Sequence, residues 1–141
     1  MCFYKTVKQN GDIDLIHKVS DKDIVCYKTV YERSPGNVYS DIRAFHYVIG
    51  ETYTENSIPL SELDERFGLE GGVFHSYIDF GIINLQGMMR NNLSYHSKCY
   101  VMKCIIPAGT PYWESKTYTE YASTSIKAVE LLDPSDLLKH H

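Results

Sequence analysis

The chain has 141 residues, 43% of them hydrophobic, which suits one domain with its own core and no metal or disulfide staple. Basic residues number 14 and acidic ones 18, for a net charge of −4. That balance, with arginine only at Arg33, Arg43, Arg66 and Arg90, excludes the basic footprint of a duplex-DNA binder.

The opening MCFYKTVKQNGD has neither the apolar core nor the small-residue cleavage pattern of a signal peptide. No apolar run approaches the roughly 20 residues of a membrane helix. A cytoplasmic protein is expected, with Cys2, Cys26, Cys99 and Cys104 as free thiols. Their spacing fits no zinc framework, so neither metal nor cofactor is expected.

CFYKTV (2–7) is short and strand-like. DIVCYKTVYE (23–32) is the first clear strand, with Ile24, Cys26 and Val30 on one face and Val25, Tyr27 and Tyr31 on the other. Apolar residues on both faces predict a central position. In SPGN, Pro35 presets φ and Gly36 supplies the positive φ of a type II turn. RAFHYVIG (43–50) predicts another strand that ends at Gly50. IPLSELDERFG (58–68) predicts a short helix, capped by Ser61 with Asp64 and stopped by Gly68.

GGVFHSYID (71–79) predicts a strand in which His75 shares a face with Val73 and Tyr77. FGIINLQGMMRNN (80–92) predicts an amphipathic helix with Ile82, Leu85 and Met89 on one side. KCYVMKCII (98–106) is a strand stopped by Pro107, and PAGTP is a loop. PYWESKTYTEYASTS predicts a hairpin-like excursion. SIKAVELL (125–132) is the last strand, followed by a helical turn at PSDLL. The fold class expected is α+β: a single domain over 1–141, with a largely antiparallel curved sheet and two short helices. The last residues, 139–141, read as a tail.

Twelve tyrosines stand out against five phenylalanines and one tryptophan. Tyrosine suits half-buried strands, and it equally suits a wet pocket wall. Tyr112, Trp113, Tyr118 and Tyr121 put four large rings in ten residues, interleaved with Lys116 and hydroxyls. Planar rings stack on such a wall for about 1–3 kcal/mol each. The candidate ligand-binding set is therefore Tyr112, Trp113, Lys116, Tyr118 and Tyr121, joined by His75 and Tyr77. His75 is either a core histidine with a hydrogen-bond partner or a pocket residue. No catalytic residue is assigned, because no nucleophile elbow, histidine pair or phosphate loop occurs.

Taken together, DIVCYKTV, AFHYVIGETY, GGVFHSY, KCIIPAGTPYW and EYASTSIKAVEL resemble a group of small proteins encoded by bacteriophages and by mobile elements of gut bacteria. The resemblance spans roughly residues 24 to 132 and brings no assigned function. It implies an accessory protein made during infection. IIPAGT followed by Ser123, Thr124 and Ser125 is similar to strands of the ADP-ribosyltransferase fold, although only Glu130 follows and no Glu-x-Glu loop exists.

Three functions are carried forward. The first is a non-enzymatic binding protein for a nucleotide-like small molecule, such as an immune signal that it sequesters. The second is an ADP-ribosyltransferase-like enzyme with an unusual site. The third is a protein–protein inhibitor with a tyrosine-rich contact surface. No duplex nucleic acid and no membrane is expected as a partner.

Overall fold

The computed structural model describes residues 16–40, 45–54, 74–94, 98–115 and 119–139. The strand expected at 2–7 and the helix expected at 58–68 lie outside them. Among the described residues the fold is dominated by a single antiparallel sheet with two short helices.

The strands are β1 (Ile16–Val19), β2 (Ile24–Ser34), β3 (Asn37–Ser40), β4 (His46–Val48), β5 (Thr52–Thr54), β6 (Phe74–Tyr77), β7 (Lys98–Ile106), β8 (Pro111–Ser115), β9 (Glu120–Ser123) and β10 (Ser125–Leu132). The helices are α1 (Leu85–Ser94) and α2 (Pro134–Lys139). Across the sheet the order is β1-β8-β9-β6-β2-β7-β10-β5, and β3 joins β2 to β4.

β2 is central. One edge pairs with β7 from Ile24↔Ile106 to Glu32↔Lys98. The other edge meets β6 at Tyr27↔Tyr77 and then β3 at Val30↔Ser40 onward. Pro35 and Gly36 form the two-residue turn into β3, with Gly36 at φ 80°, the value a type II turn needs there. Register shifts at Glu32/Ser34 and Ala128/Glu130 mark β-bulges, which raise local twist.

The even positions of β2 face an aromatic core. Cys26 and Val30 pack there with Val38, Phe74, Met102, Cys104 and Ile106. Phe45, Tyr47, Tyr53 and Phe74 meet as a cluster of rings, with centroids 4.9 to 6.4 Å apart. Edge-to-face geometry dominates, which suits the ring quadrupoles. The odd positions of β2 face the helices. Ile83, Leu85, Met88, Val101 and Leu137 form that second core, with Tyr27, Tyr77 and Phe80 against it.

Two expectations need correction. RAFHYVIG is not one strand to Gly50. β4 covers only His46–Val48, the chain turns at Gly50 (φ 98°), and β5 starts at Thr52. The reason is a change of partner. β4 pairs with β3, whereas Gly50 N–H donates to Ala128 O at 2.8 Å and leads β5 onto β10.

The helix expected over 80–92 is also two pieces, a 3-10 turn at Phe80–Ile82 and then α1. Asp79 caps the first, accepting from Gly81 N–H at 2.9 Å. Asn84 caps the second, accepting from Gly87 N–H at 2.9 Å. Each piece has its own phase. Ile83, Leu85 and Met88 turn inward, while Ile82 is 46% exposed. Gly87 is part of that cap, because a Cβ there would lie 2.6 Å from Asn84 Nδ2.

Candidate ligand-binding groove

Strand register decides where the expected site residues go, since directly opposed residues share a face of the sheet. On β6, β9 and β8, His75, Ala122 and Trp113 form one row, and Tyr77, Glu120 and Ser115 form the next. Both rows belong to the face that carries Tyr27. Phe74, Ser123 and Tyr112 form a row on the opposite face, next to Ser76, Tyr121 and Glu114. The expected set is thus divided. His75, Tyr77 and Trp113 are on one face, and Tyr112 and Tyr121 are on the other. Lys116 and Tyr118 lie outside the described residues.

The rings are also more enclosed than a wet wall requires. Tyr112 and Trp113 are each only 7% exposed. The Tyr112 and Tyr121 rings meet edge to face at 5.6 Å. Burial, with the nearby Glu114 and Tyr112, pushes the Tyr121 phenol up to about 12. His75 is half-buried. Ser125 Oγ is engaged with Tyr53 O and Thr54 Oγ1, both at 3.1 Å, whereas Glu130 is 3.9 Å from Lys103 Nζ.

Open space lies on the helix side of β2. A groove of about 490 Å³ runs between α1 and the sheet. Thr29, Tyr31 and Tyr77 line its sheet side, with Cys99. Met88 and Ile83 supply apolar floor, and Asn84, Arg90 and Asn91 supply the polar rim. The volume falls within the range of small-molecule sites, roughly 300–1,000 Å³. Among the described residues of the expected set, Tyr77 alone lines it.

Local contacts hold the walls in place. Tyr31, Tyr39 and His46 are register partners on three strands, and their rings stack at 5.9 and 4.8 Å. The Arg33 guanidinium lies 4.5 Å from the Tyr39 ring and 5.4 Å from the Tyr31 ring, and donates to the Tyr31 hydroxyl at 3.2 Å. Across the groove, the Asn92 carboxamide clamps the end of α1 to the Cys99 backbone. A wall fixed before a ligand arrives loses less entropy on binding.

Two buried groups escaped sequence reasoning. Glu120 is 5% exposed, and burial pushes its carboxyl up to about 7. Lys28, on the aromatic-core face, donates to the His75 carbonyl and stands 5.7 Å from the Tyr47 ring. Burial pulls its ammonium below the usual lysine value. The sequence offers no local sign of either, because Glu120 lies in a polar stretch and Lys28 reads as an ordinary charged position within a largely apolar strand.

No residue cluster among those described could hold a metal ion, and no described helix is long and apolar enough to cross a membrane. Comparison with protein-family models, curated proteins and solved structures finds no match.

Proposed function

We propose that the protein binds and holds a small, planar, anionic molecule of the nucleotide type in the groove between α1 and the sheet. The observation that carries this reading is Arg90 standing with Tyr31 and Tyr77 around the groove. The chemistry is complementary. Tyrosine faces accept a flat ring, the guanidinium pairs with phosphate, and the two carboxamides match the donor and acceptor edge of a base. Arg90, Asn84 and Asn91 offer the groove charge and hydrogen bonds rather than a nucleophile, which favours holding over turnover. A cytoplasmic role in sequestering a nucleotide-derived signal follows from this reading and from the resemblance to phage-encoded proteins.

Native mass spectrometry of the protein taken directly from cells tests whether a small molecule travels with it. Titration with adenosine monophosphate then supplies a defined probe. Arg90→Ala is expected to weaken that binding about 10-fold or more, since hydrogen bonds to charged groups contribute about 1.5–3 kcal/mol. Arg90 is exposed, so the thermal midpoint should hold. Wild-type protein that carries no molecule and ignores the probe would overturn the reading.

A further inference from the structure

The central ladder brings two cysteines face to face. Cys26 on β2 and Cys104 on β7 are direct register partners, so both side chains leave the same face of the sheet. Both residues are 0% exposed, so an oxidant reaches them only through local opening of the β2–β7 ladder. Their sulfurs lie within hydrogen-bonding reach of each other, and the Cys104 thiol also reaches the Met102 carbonyl at 3.5 Å. Directly opposed residues of an antiparallel pair have Cα atoms about 4.5–5.5 Å apart. A disulfide spans about 4.4–6.8 Å between Cα atoms, so the strand spacing is within its reach.

The surroundings treat the two sulfurs differently. Lys28 projects from β2 on the same face, two residues from Cys26. Burial raises a thiol, but the hydrogen bonds from Cys104 and Ser76, with the Lys28 charge, leave Cys26 below its ordinary value. Burial and the Cys26 neighbour push Cys104 well above its own. Of the two sulfurs, Cys26 is therefore the one that gives up its proton more readily.

We infer that Cys26 and Cys104 form a thiol–disulfide switch that a hydroperoxide closes across the two central strands. The Cys26 sulfur attacks the outer oxygen of the hydroperoxide as its S–H bond breaks. The O–O bond breaks, and the departing alkoxide or hydroxide takes the Cys26 proton, leaving a sulfenic acid on Cys26. The Cys104 sulfur then attacks the Cys26 sulfur. The S–O bond breaks, and hydroxide leaves with the Cys104 proton as water. The two thiols lose two electrons, and the peroxide gains them. Closure also replaces two thiols beside Lys28 with a bridge that can neither donate nor lose a proton.

The test uses the full chain and hydrogen peroxide, with no ligand. Trypsin places each cysteine on its own peptide: MCFYK, DIVCYK, CYVMK and CIIPAGTPYWESK. After peroxide, acid quench and alkylation under denaturing conditions, DIVCYK is expected linked to CIIPAGTPYWESK, and dithiothreitol should release the link. Cys99→Ser should leave that link unchanged, and Cys26→Ser should abolish it. If Cys26→Ser does not fold, the wild-type map decides alone. Full alkylation of Cys26 and Cys104 after peroxide overturns the inference. So does a map whose only links run through Cys2 or Cys99.

Discussion

The carboxamide of Asn92 occupies both backbone hydrogen-bonding groups of Cys99. Cys99 N–H donates to Asn92 Oδ1 at 2.6 Å, and Asn92 Nδ2 donates to Cys99 O at 3.1 Å. A helix side chain thereby imitates one residue of a neighbouring strand and fixes α1 beside β7. Asn92→Ala strands a donor and an acceptor at once and should cost about 1–3 kcal/mol in urea unfolding. Asn92→Asp keeps the acceptor but loses the donor, so it should fall between wild type and alanine. Equal stability for all three proteins would remove the clamp.

Trp113 tests the enclosed rings. At 7% exposure it belongs to the interior, and Trp113→Ala should cost about 3–5 kcal/mol of stability. Calorimetric melts of the protein without ligand give the answer. A midpoint that hardly moves would return Trp113 to the surface and revive an aromatic wall on β8.

Glu120 makes stability depend on pH. Its folded pKa, about 7, is above the ordinary 4.5 because the carboxyl is buried. The folded chain keeps a proton that the unfolded chain releases. This contribution is whole below pH 4.5 and is lost as pH rises through 7. The loss by pH 8 is on the order of 3 kcal/mol. Glu120→Gln cannot ionise, so its advantage over wild type should grow from pH 5 to pH 8 in denaturant titrations. A constant difference between the two proteins would contradict the buried acid.

Asp133 shifts the other way. It precedes α2 and accepts from Ser135 N–H at 2.9 Å and Ser135 Oγ at 2.7 Å, while its second oxygen pairs with Lys98 at 3.0 Å. These contacts hold its carboxyl down to about 2, below the ordinary 3.8. Its contribution is present above pH 3.8 and disappears as pH falls through 2. Asp133→Ala should cost about 1–2 kcal/mol at pH 7, as the loss of a helix cap does. Lys98→Ala should cost less than about 1 kcal/mol, because the ammonium is exposed to screening. The reverse ranking in urea melts would place the weight on the ion pair.

What could be read from the residues depends on how local its cause is. β7 and β10 are apolar runs with hard stops, Pro107 after one and Asp133-Pro134 after the other, and their bounds match the pattern. The turn at Pro35-Gly36 is equally local. β1 and β5 are short and polar, and only pairing with β8 and β10 makes them strands. The rings between 112 and 121 look like one surface in sequence. The β8–β9 hairpin sets Tyr112 opposite Ser123, which sends Trp113 to the other side. The groove is still less legible, since Tyr31, Tyr77 and Arg90 come from three elements joined only by the sheet order. Cys26 and Cys104 illustrate the same limit, as nothing near either one names its partner.

That sheet order also bears on how the protein is made. β2 leaves the ribosome well before its longest partner, β7, is synthesised. Until then an eleven-residue strand with Val25, Tyr27 and Tyr31 on one side has no ladder along that edge. Distant pairings slow folding, because the entropy of closing the loop is lost before the contacts form. Its refolding is therefore expected to belong with the slow, β-rich proteins rather than with helical bundles.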